Sequence, residues 1–338
     1  MRWRRPDFPN PSLSAFFPMQ ANPILQVRVA RKCAEAQDIC SLELVPLDGE
    51  SLPAFTAGSH IDLHLPGGLV RQYSLCNDPQ DTGRYVVGVL REAASRGGSA
   101  AVHEQVQEGQ QIAIGAPRNH FALHAGGPAR HLLLAGGIGI TPVLAMARQL
   151  AREGADFELH YCARSRERMA FTALLQSMPW ADRVHLHVDG EGALDMAQLL
   201  GAPQAGLHLY VCGPRGFMDA ALGMARASGW SEDRLHYEFF AGEAVQREGD
   251  AGFEIEIAST GQVVRVAPEQ TVVQALAGIG VEVQTSCEQG VCGTCLTRVL
   301  SGEPEHRDMY LTEDEQAACD QFLPCCSRAK SARLVLDL

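Results

Sequence analysis

Six of the chain's eleven cysteines lie between Cys287 and Cys326, and three of them form the run Cys287-Glu-Gln-Gly-Val-Cys292-Gly-Thr-Cys295. No other feature restricts the fold as much, because sulfurs crowded into so short a loop must share a purpose. A C-x4-C-x2-C loop completed by a distant fourth cysteine is the spacing of plant-type [2Fe–2S] sites. Four thiolates must converge on two irons, so a tight loop wraps one side and the last ligand arrives from elsewhere. Gly290 and Gly293 let the backbone curl close to the sulfides and aim N–H groups at them. A structural zinc site would pair two short hooks, and here the second hook is missing. Spacing alone leaves Cys319, Cys325 and Cys326 open as the fourth ligand. Cys33, Cys40, Cys76, Cys162 and Cys212 stand singly and read as small buried hydrophobes. Cysteines used as ligands fit thiol-reducing surroundings, so a cytoplasmic location is expected.

The 338 residues exceed one ordinary domain, and two or three are expected at the usual size of about 150 residues. Residues 1–20 are broken by Pro6, Pro9 and Pro11 with no apolar run behind the basic start, and read as a disordered tail, with Met19 as an alternative start. From residue 24 to 124, short alternating stretches such as Ser59-His-Ile-Asp-Leu-His-Leu and Tyr85-Val-Val-Gly-Val are separated by Gly, Pro and Asp turns, which suits a small antiparallel barrel. From 130 to 241, apolar strands (His131-Leu-Leu-Leu-Ala, Phe157-Glu-Leu-His-Tyr, Val184-His-Leu-His-Val, His208-Leu-Tyr-Val-Cys) alternate with helical stretches at 142–152 and 216–228. That alternation implies an α/β doubly wound parallel sheet. A polar linker over 243–251 then precedes two more strands and a short helix over 271–277. The net charge of −12 argues against a nucleic-acid partner, and no run of 18 apolar residues offers a membrane span.

Gly136-Gly137-Ile-Gly139-Ile-Thr141-Pro142 directly follows an apolar strand and opens a helix, with Thr141 expected as N-cap and Pro142 at the first helical position. Such glycines let a pyrophosphate approach the helix N-terminus, where free N–H groups stabilise it. Cys212-Gly213-Pro214 ends a later strand at the same carboxyl edge, where ligands of such sheets sit. Upstream, Arg71-Gln-Tyr73-Ser74 and Arg96-Gly97-Gly98-Ser99 offer a phosphate partner, backbone and hydroxyl donors, and a ring that could line an isoalloxazine.

Taken in order, Arg71-Gln-Tyr-Ser-Leu-Cys-Asn-Asp, Gly97-Gly-Ser, Pro117-Arg-Asn-His-Phe, the glycine loop, Cys212-Gly-Pro and the cysteine loop resemble the family of phthalate dioxygenase reductase and the reductase subunits of vanillate O-demethylase and carnitine monooxygenase. The resemblance runs from about residue 24 to the end. It implies an FMN-binding β-barrel domain (21–127), an NAD(P)-binding α/β domain (128–242), the linker, and a β-grasp [2Fe–2S] ferredoxin domain (252–338). It carries the fourth cluster ligand onto Cys325, which opens Cys325-Cys326-Ser327-Arg328, and the flavin motif onto Arg71, Tyr73 and Ser74. The aromatic that shields the flavin where nicotinamide stacks falls on Phe240. Where the family has an acid after the second strand of the nucleotide domain, this chain has Arg164-Ser-Arg-Glu-Arg168, so NADH is expected with NADPH as the alternative.

The implied route runs from NAD(P)H through FMN and the cluster to an external acceptor, by the resemblance a Rieske oxygenase component. Residues 252–338 carry 13 Asp and Glu against 6 Lys and Arg, which would suit docking on a basic patch. A reductase serving a ferredoxin or a cytochrome-type monooxygenase is the alternative, and a non-catalytic zinc-stabilised module is the rival from another class.

Overall fold

The computed structural model describes residues 23–338 apart from 48, 50, 93–96, 127–128, 241–248, 286–289, 291–292 and 309. The tail, Arg96, most of the linker, and the ligand candidates Cys287 and Cys292 therefore lie outside the described residues.

The first unit contains β1 (Ile24–Ala36), β2 (Ile39–Pro46), β3 (Ser59–Leu65), β4 (Leu69–Ser74), β5 (Tyr85–Leu90), α1 (Gly98–Gln105), β6 (Gln111–Gly115) and β7 (Arg118–Asn119). Its strands pair antiparallel in the order β4-β3-β6-β1-β2-β5, with β7 on β3. The period-two pattern turns Val27, Val29, Ile61, Leu63, Val87 and Val89 into one core, and α1 adds Ala101 and Val102 to it. A single bridge between Leu75 and Val87 joins the end regions of this path.

The second unit contains β8 (Arg130–Gly136), α2 (Ile140–Glu153), β9 (Asp156–Ala163), α3 (Thr172–Ser177), β10 (Val184–Val188), α4 (Met196–Leu199), β11 (Leu207–Cys212), α5 (Arg215–Ala227) and β12 (Leu235–Glu238). All its pairings are parallel, in the order β10-β9-β8-β11-β12. Strands buried on both faces must be apolar at consecutive positions, as Leu132-Leu133-Leu134-Ala135 are. Leu133, Ala135, Leu159 and Tyr161 meet α2 on one face, while Leu132, Leu134, Leu209 and Val211 meet α5 on the other. The strand order reverses between β8 and β11, which opens a crevice beyond their carboxyl ends.

The third unit contains β13 (Phe253–Ile257), β14 (Val263–Val266), α6 (Val272–Ala277), β15 (Thr297–Ser301), β16 (Pro304–Glu305), α7 (Glu313–Ala318), β17 (Gln321–Phe322), β18 (Arg328–Ala329) and β19 (Arg333–Leu336). Its main sheet runs β14-β13-β19-β15-β17, and only β13 and β19 are parallel. Thr271 caps α6 with Gln274 reaching back, a reciprocal box that satisfies two orphan N–H groups. Among the described residues no helix is long and apolar enough to cross a membrane.

Candidate functional site

The glycine loop and the Cys212 turn meet at the crevice. A Cβ on Gly139 would lie 2.1 Å from the carbonyl oxygen of Cys212, and one on Gly136 2.8 Å from the Phe217 ring. A Cβ on Gly213 would lie 3.0 Å from Cα of Gly136. These three glycines let two chain segments touch. Only Gly137 differs, with φ of +53° and open space where its Cβ would be. Gly137 thus faces open space where a phosphate could approach the start of α2, while the other glycines allow the two segments to touch. Pro214 stands just before α5 with Cδ 3.0 Å from that Gly136 Cβ position.

Thr141 does not cap. A 3-10 turn over Gly137–Gly139 runs straight into α2, whose N-cap is Gly139, so Thr141 and Pro142 fall inside the first turn. The Thr141 hydroxyl donates to the Ile138 carbonyl at 3.0 Å and its methyl faces Gly88 of β5. Pro142 is tolerated because N–H groups of the first turn have no intrahelical partner to lose. Of the single cysteines, Cys40, Cys76 and Cys212 are buried as expected, whereas Cys33 and Cys162 are partly exposed.

The first unit's motif reaches the nucleotide sheet at Ser74, which meets Glu238. Arg71 lies on β4 against the start of α1, where a Cβ on Gly98 would meet its Cγ at 2.5 Å. Gly97 caps α1 in the left-handed region, and the Ser99 hydroxyl accepts the Glu92 N–H at 3.1 Å. A guanidinium beside a helix N-terminus forms a cradle suited to a flavin phosphate. Tyr73 packs on the first core, and burial pushes its phenol up, so it stays un-ionised.

Ser74 is buried, and its hydroxyl donates to Oε2 of Glu238, at the end of β12, at 3.4 Å. Burial pushes the Glu238 carboxyl up to about 8, against a smaller opposing effect of the Ser74 hydrogen bond. His60 Nδ1 lies 3.8 Å from Glu238 Oε1, too far for a hydrogen bond. Burial, then Arg118 and His120, lower His60 to about 3. An ion pair would have moved both groups the opposite way, so we read His60 and Glu238 as both neutral at pH 7. Burial, then the nearby Glu238, holds the Cys212 thiol well above its usual range and protonated. Phe240 follows β12 and packs against the second unit's α2-side core. Sequence reasoning missed Glu238 and His60: a lone acid at a strand end carries no signal, and its partner Ser74 is 164 positions away.

In the third unit, Cys295 and Cys325 are both 3% exposed. The neighbouring Cys295 and Cys326, with burial, push the Cys325 thiol up. Cys319 is turned to the Gln316 carbonyl instead. Above the sulfurs, Gly290 and Gly293 have φ of +76° and +72°. A Cβ on Gly290 would lie 2.4 Å from Cys326 Sγ, and one on Gly293 2.3 Å from the Tyr310 ring. The floor is braced by Asp308, which accepts the Leu311 N–H at 2.9 Å and the Ser327 hydroxyl at 3.2 Å. Arg328 donates to the carbonyls of Gln270, Ala251 and Ala267, so its role is structural. The neighbouring buried thiols of Cys295 and Cys325, beside two positions at 290 and 293 that only glycine permits, fit a [2Fe–2S] cluster.

A 2Fe-2S iron-sulfur cluster binding domain matches residues 255–330, and the N-terminal domain of dimethylamine monooxygenase subunit DmmA-like proteins matches 116–235. The vanillate O-demethylase oxidoreductase of Pseudomonas putida is 58% identical over 307 residues, covering 90% of this chain and 96% of that protein. That of Pseudomonas sp. (strain HR199 / DSM 7063) is 53% identical over 318 residues, covering 93% and 100%. The solved structure of phthalate dioxygenase reductase, a modular structure for electron transfer from pyridine nucleotides to [2Fe-2S], superposes with a TM-score of 0.77 at 38% identity, covering 93% of this chain and 98% of that one. The fold and sites thus define an iron–sulfur flavoprotein oxidoreductase built from flavin, NAD(H) and [2Fe–2S] modules. The chain belongs to the family of the vanillate O-demethylase oxidoreductases and phthalate dioxygenase reductase.

Proposed function

We propose that this chain is the reductase component of a two-component Rieske oxygenase, passing electrons from NADH through FMN and a [2Fe–2S] cluster, with an aryl-ether (vanillate) demethylating oxygenase as the first partner to test. In this reading 21–127 is a closed FMN barrel, 128–242 a doubly wound NAD domain and 252–338 a β-grasp ferredoxin domain, acting in the cytoplasm. The observation that carries it is the Ser74–Glu238 contact, which joins the Arg71-Gln-Tyr-Ser edge to the carboxyl edge of the nucleotide sheet.

When bound, the flavin accepts a hydride and releases single electrons, the conversion that a one-electron cluster requires. Arg71, Gly97, Gly98 and Ser99 would hold its phosphate, and Tyr73 would line its ring. Gly136, Gly137, Gly139, Thr141, Pro142, Cys212, Gly213 and Pro214 would shape the nucleotide's seat, with Phe240 shielding the ring face. Neutral Glu238 holds a proton on its carboxyl and receives the Ser74 hydroxyl at Oε2, so this pair can move a proton at the meeting of the two edges. Cys287, Cys292, Cys295 and Cys325 would hold the cluster. Arg166 pairs with Glu191 and Arg168 with Asp38, while Arg164 has no ion-pair partner among the described residues. Arg164 is therefore the cation through which NADPH could compete with NADH, and Arg164→Ala should lower the NADPH rate more than the NADH rate.

Within the third unit Glu254 and Glu256 pair with Arg333 and Glu303 with Lys330, which leaves the net acidic excess unchanged, and docking would rely on the remaining carboxylates. The deciding assay measures NADH- and NADPH-dependent reduction of purified Rieske oxygenases, with demethylated product identified. Reduction of dyes together with a ferredoxin or cytochrome monooxygenase, and of no Rieske partner, would refute the assignment.

A further inference from the structure

On the face of the parallel sheet that carries α5, away from the glycine loop, two neighbouring strands bring together a carboxylate and three imidazoles. His160 of β9 stands directly across from His185 of β10, Glu158 precedes His160 by one same-face position, and His187 follows His185 likewise. One ligand atom from each of Glu158, His160 and His185 lies within 4.8 Å of the others.

His160 is the fixed member. It is 8% exposed, and its Nδ1 lies 3.0 Å from Nε2 of His187. Where His187 Nε2 accepts from the His160 Nδ1–H, the His160 Nε2 lone pair is left available. That Nε2 is buried, has no hydrogen-bond partner among the described residues, and stands 3.7 Å from Oε2 of Glu158. An imidazole held in one tautomer by a second imidazole, with its other nitrogen bare and facing a carboxylate, is the arrangement of a metal ligand and the group that orients it.

We infer that Glu158, His160 and His185 form a binding site for a divalent transition cation of the zinc class, with His187 as a positioning residue. Two imidazoles and a carboxylate suit zinc, which takes such ligands at about 2.0–2.2 Å and leaves a fourth position for water. Tetrahedral ligation at that length puts ligand atoms about 3.3 Å apart, so the cluster must contract. Glu158 and His185 are exposed and able to rotate inward onto His160. The site stands toward the amino ends of β9 and β10, whereas Gly136 and Cys212 end their strands at the nucleotide edge. Since β10 is an edge strand, a bound ion would clip it to its neighbour.

The test titrates oxidised holoenzyme, flavin and cluster in place, with zinc by calorimetry, and examines the zinc-loaded protein by X-ray absorption. Wild type should take up one ion on nitrogen and oxygen at about 2.0–2.2 Å, and sulfur ligation near about 2.3 Å would overturn the proposal. Glu158→Gln with His185→Asn should abolish this uptake and the zinc-induced rise in melting temperature, while NADH-dependent dye reduction without zinc stays unchanged. His187→Asn should weaken binding about tenfold and alter its pH profile, as loss of an orienting partner does. Unchanged stoichiometry and affinity in the double variant would show that zinc sits elsewhere and end the proposal without touching the reductase assignment.

Discussion

Glu238→Gln offers the sharpest test of the seam between the first two units. The carboxyl moves from an ordinary 4.5 to about 8 because it is buried with one weak hydroxyl donor. The folded chain therefore binds this proton more tightly than the unfolded chain does. Stability from this group is greatest below pH 4.5, falls as pH rises, and levels off above about 8. At about 1.4 kcal/mol for each unit of pKa, the loss across that window is on the order of 5 kcal/mol. Glutamine keeps the shape and an acceptor for Ser74 but does not titrate. Urea unfolding followed by tryptophan fluorescence reads the right region, because Trp180 and Trp230 both belong to the second unit's cores. The wild-type midpoint should fall relative to the variant between pH 5 and 8 (about 1 M or more at ordinary urea slopes of 1–3 kcal/mol per M). Dye reduction should fall in the variant, and the wild-type rate should decline as pH rises through 8 and Glu238 loses its proton. Parallel stability curves for the two proteins would refute the buried neutral carboxyl.

Cys325→Ser should remove acid-labile sulfide and transfer to the oxygenase while sparing flavin-reactive dyes, and Cys326→Ser should keep both; the reverse pattern would move the fourth ligand to Cys326. Gly139→Ala drives a methyl to 2.1 Å from the Cys212 carbonyl and should cost about 1–3 kcal/mol, seen as a lower melting temperature and a raised KM for NADH. Gly137→Ala meets open space and should cost only the left-handed strain of about 1–2 kcal/mol. Arg307 and Asp250 are each 7% exposed and joined at 2.9 Å, with Arg328 Nε a further 3.9 Å from the same carboxylate, so Arg307→Met removes the charged donor from a buried acid that keeps Arg328 nearby and should destabilise the third unit by about 1.5–3 kcal/mol, measured as cluster loss on heating.

Element types and order were legible because burial on one face or two imprints a period on the sequence, and strands such as Ser59–Leu65 and Val184–Val188 fall where alternation put them. Local capping was less so. Thr141 carries the right side chain for a cap, but a 3-10 turn upstream took that position, and no pattern in seven residues distinguishes the two outcomes. The glycine loop was recognisable as a motif, yet which glycine opens onto space and which merely permits contact depends on Cys212 and Phe217, distant in the chain. Ser74 with Glu238, and His160 with His185, meet only through tertiary structure. The cysteine spacing could be read directly because the three ligands proposed from it are local, whereas the distant fourth, Cys325, rests on the family resemblance.

The contact between the Gly136–Gly139 loop and the Cys212–Gly213 turn makes two distant stretches one heritable unit. A chimera between relatives that exchanges one stretch without the other pairs loops that never had to fit, whereas breakpoints before Arg130 or after Glu238 carry both together. Family shuffling of such reductases should accordingly yield its functional recombinants at those boundaries, and few between them.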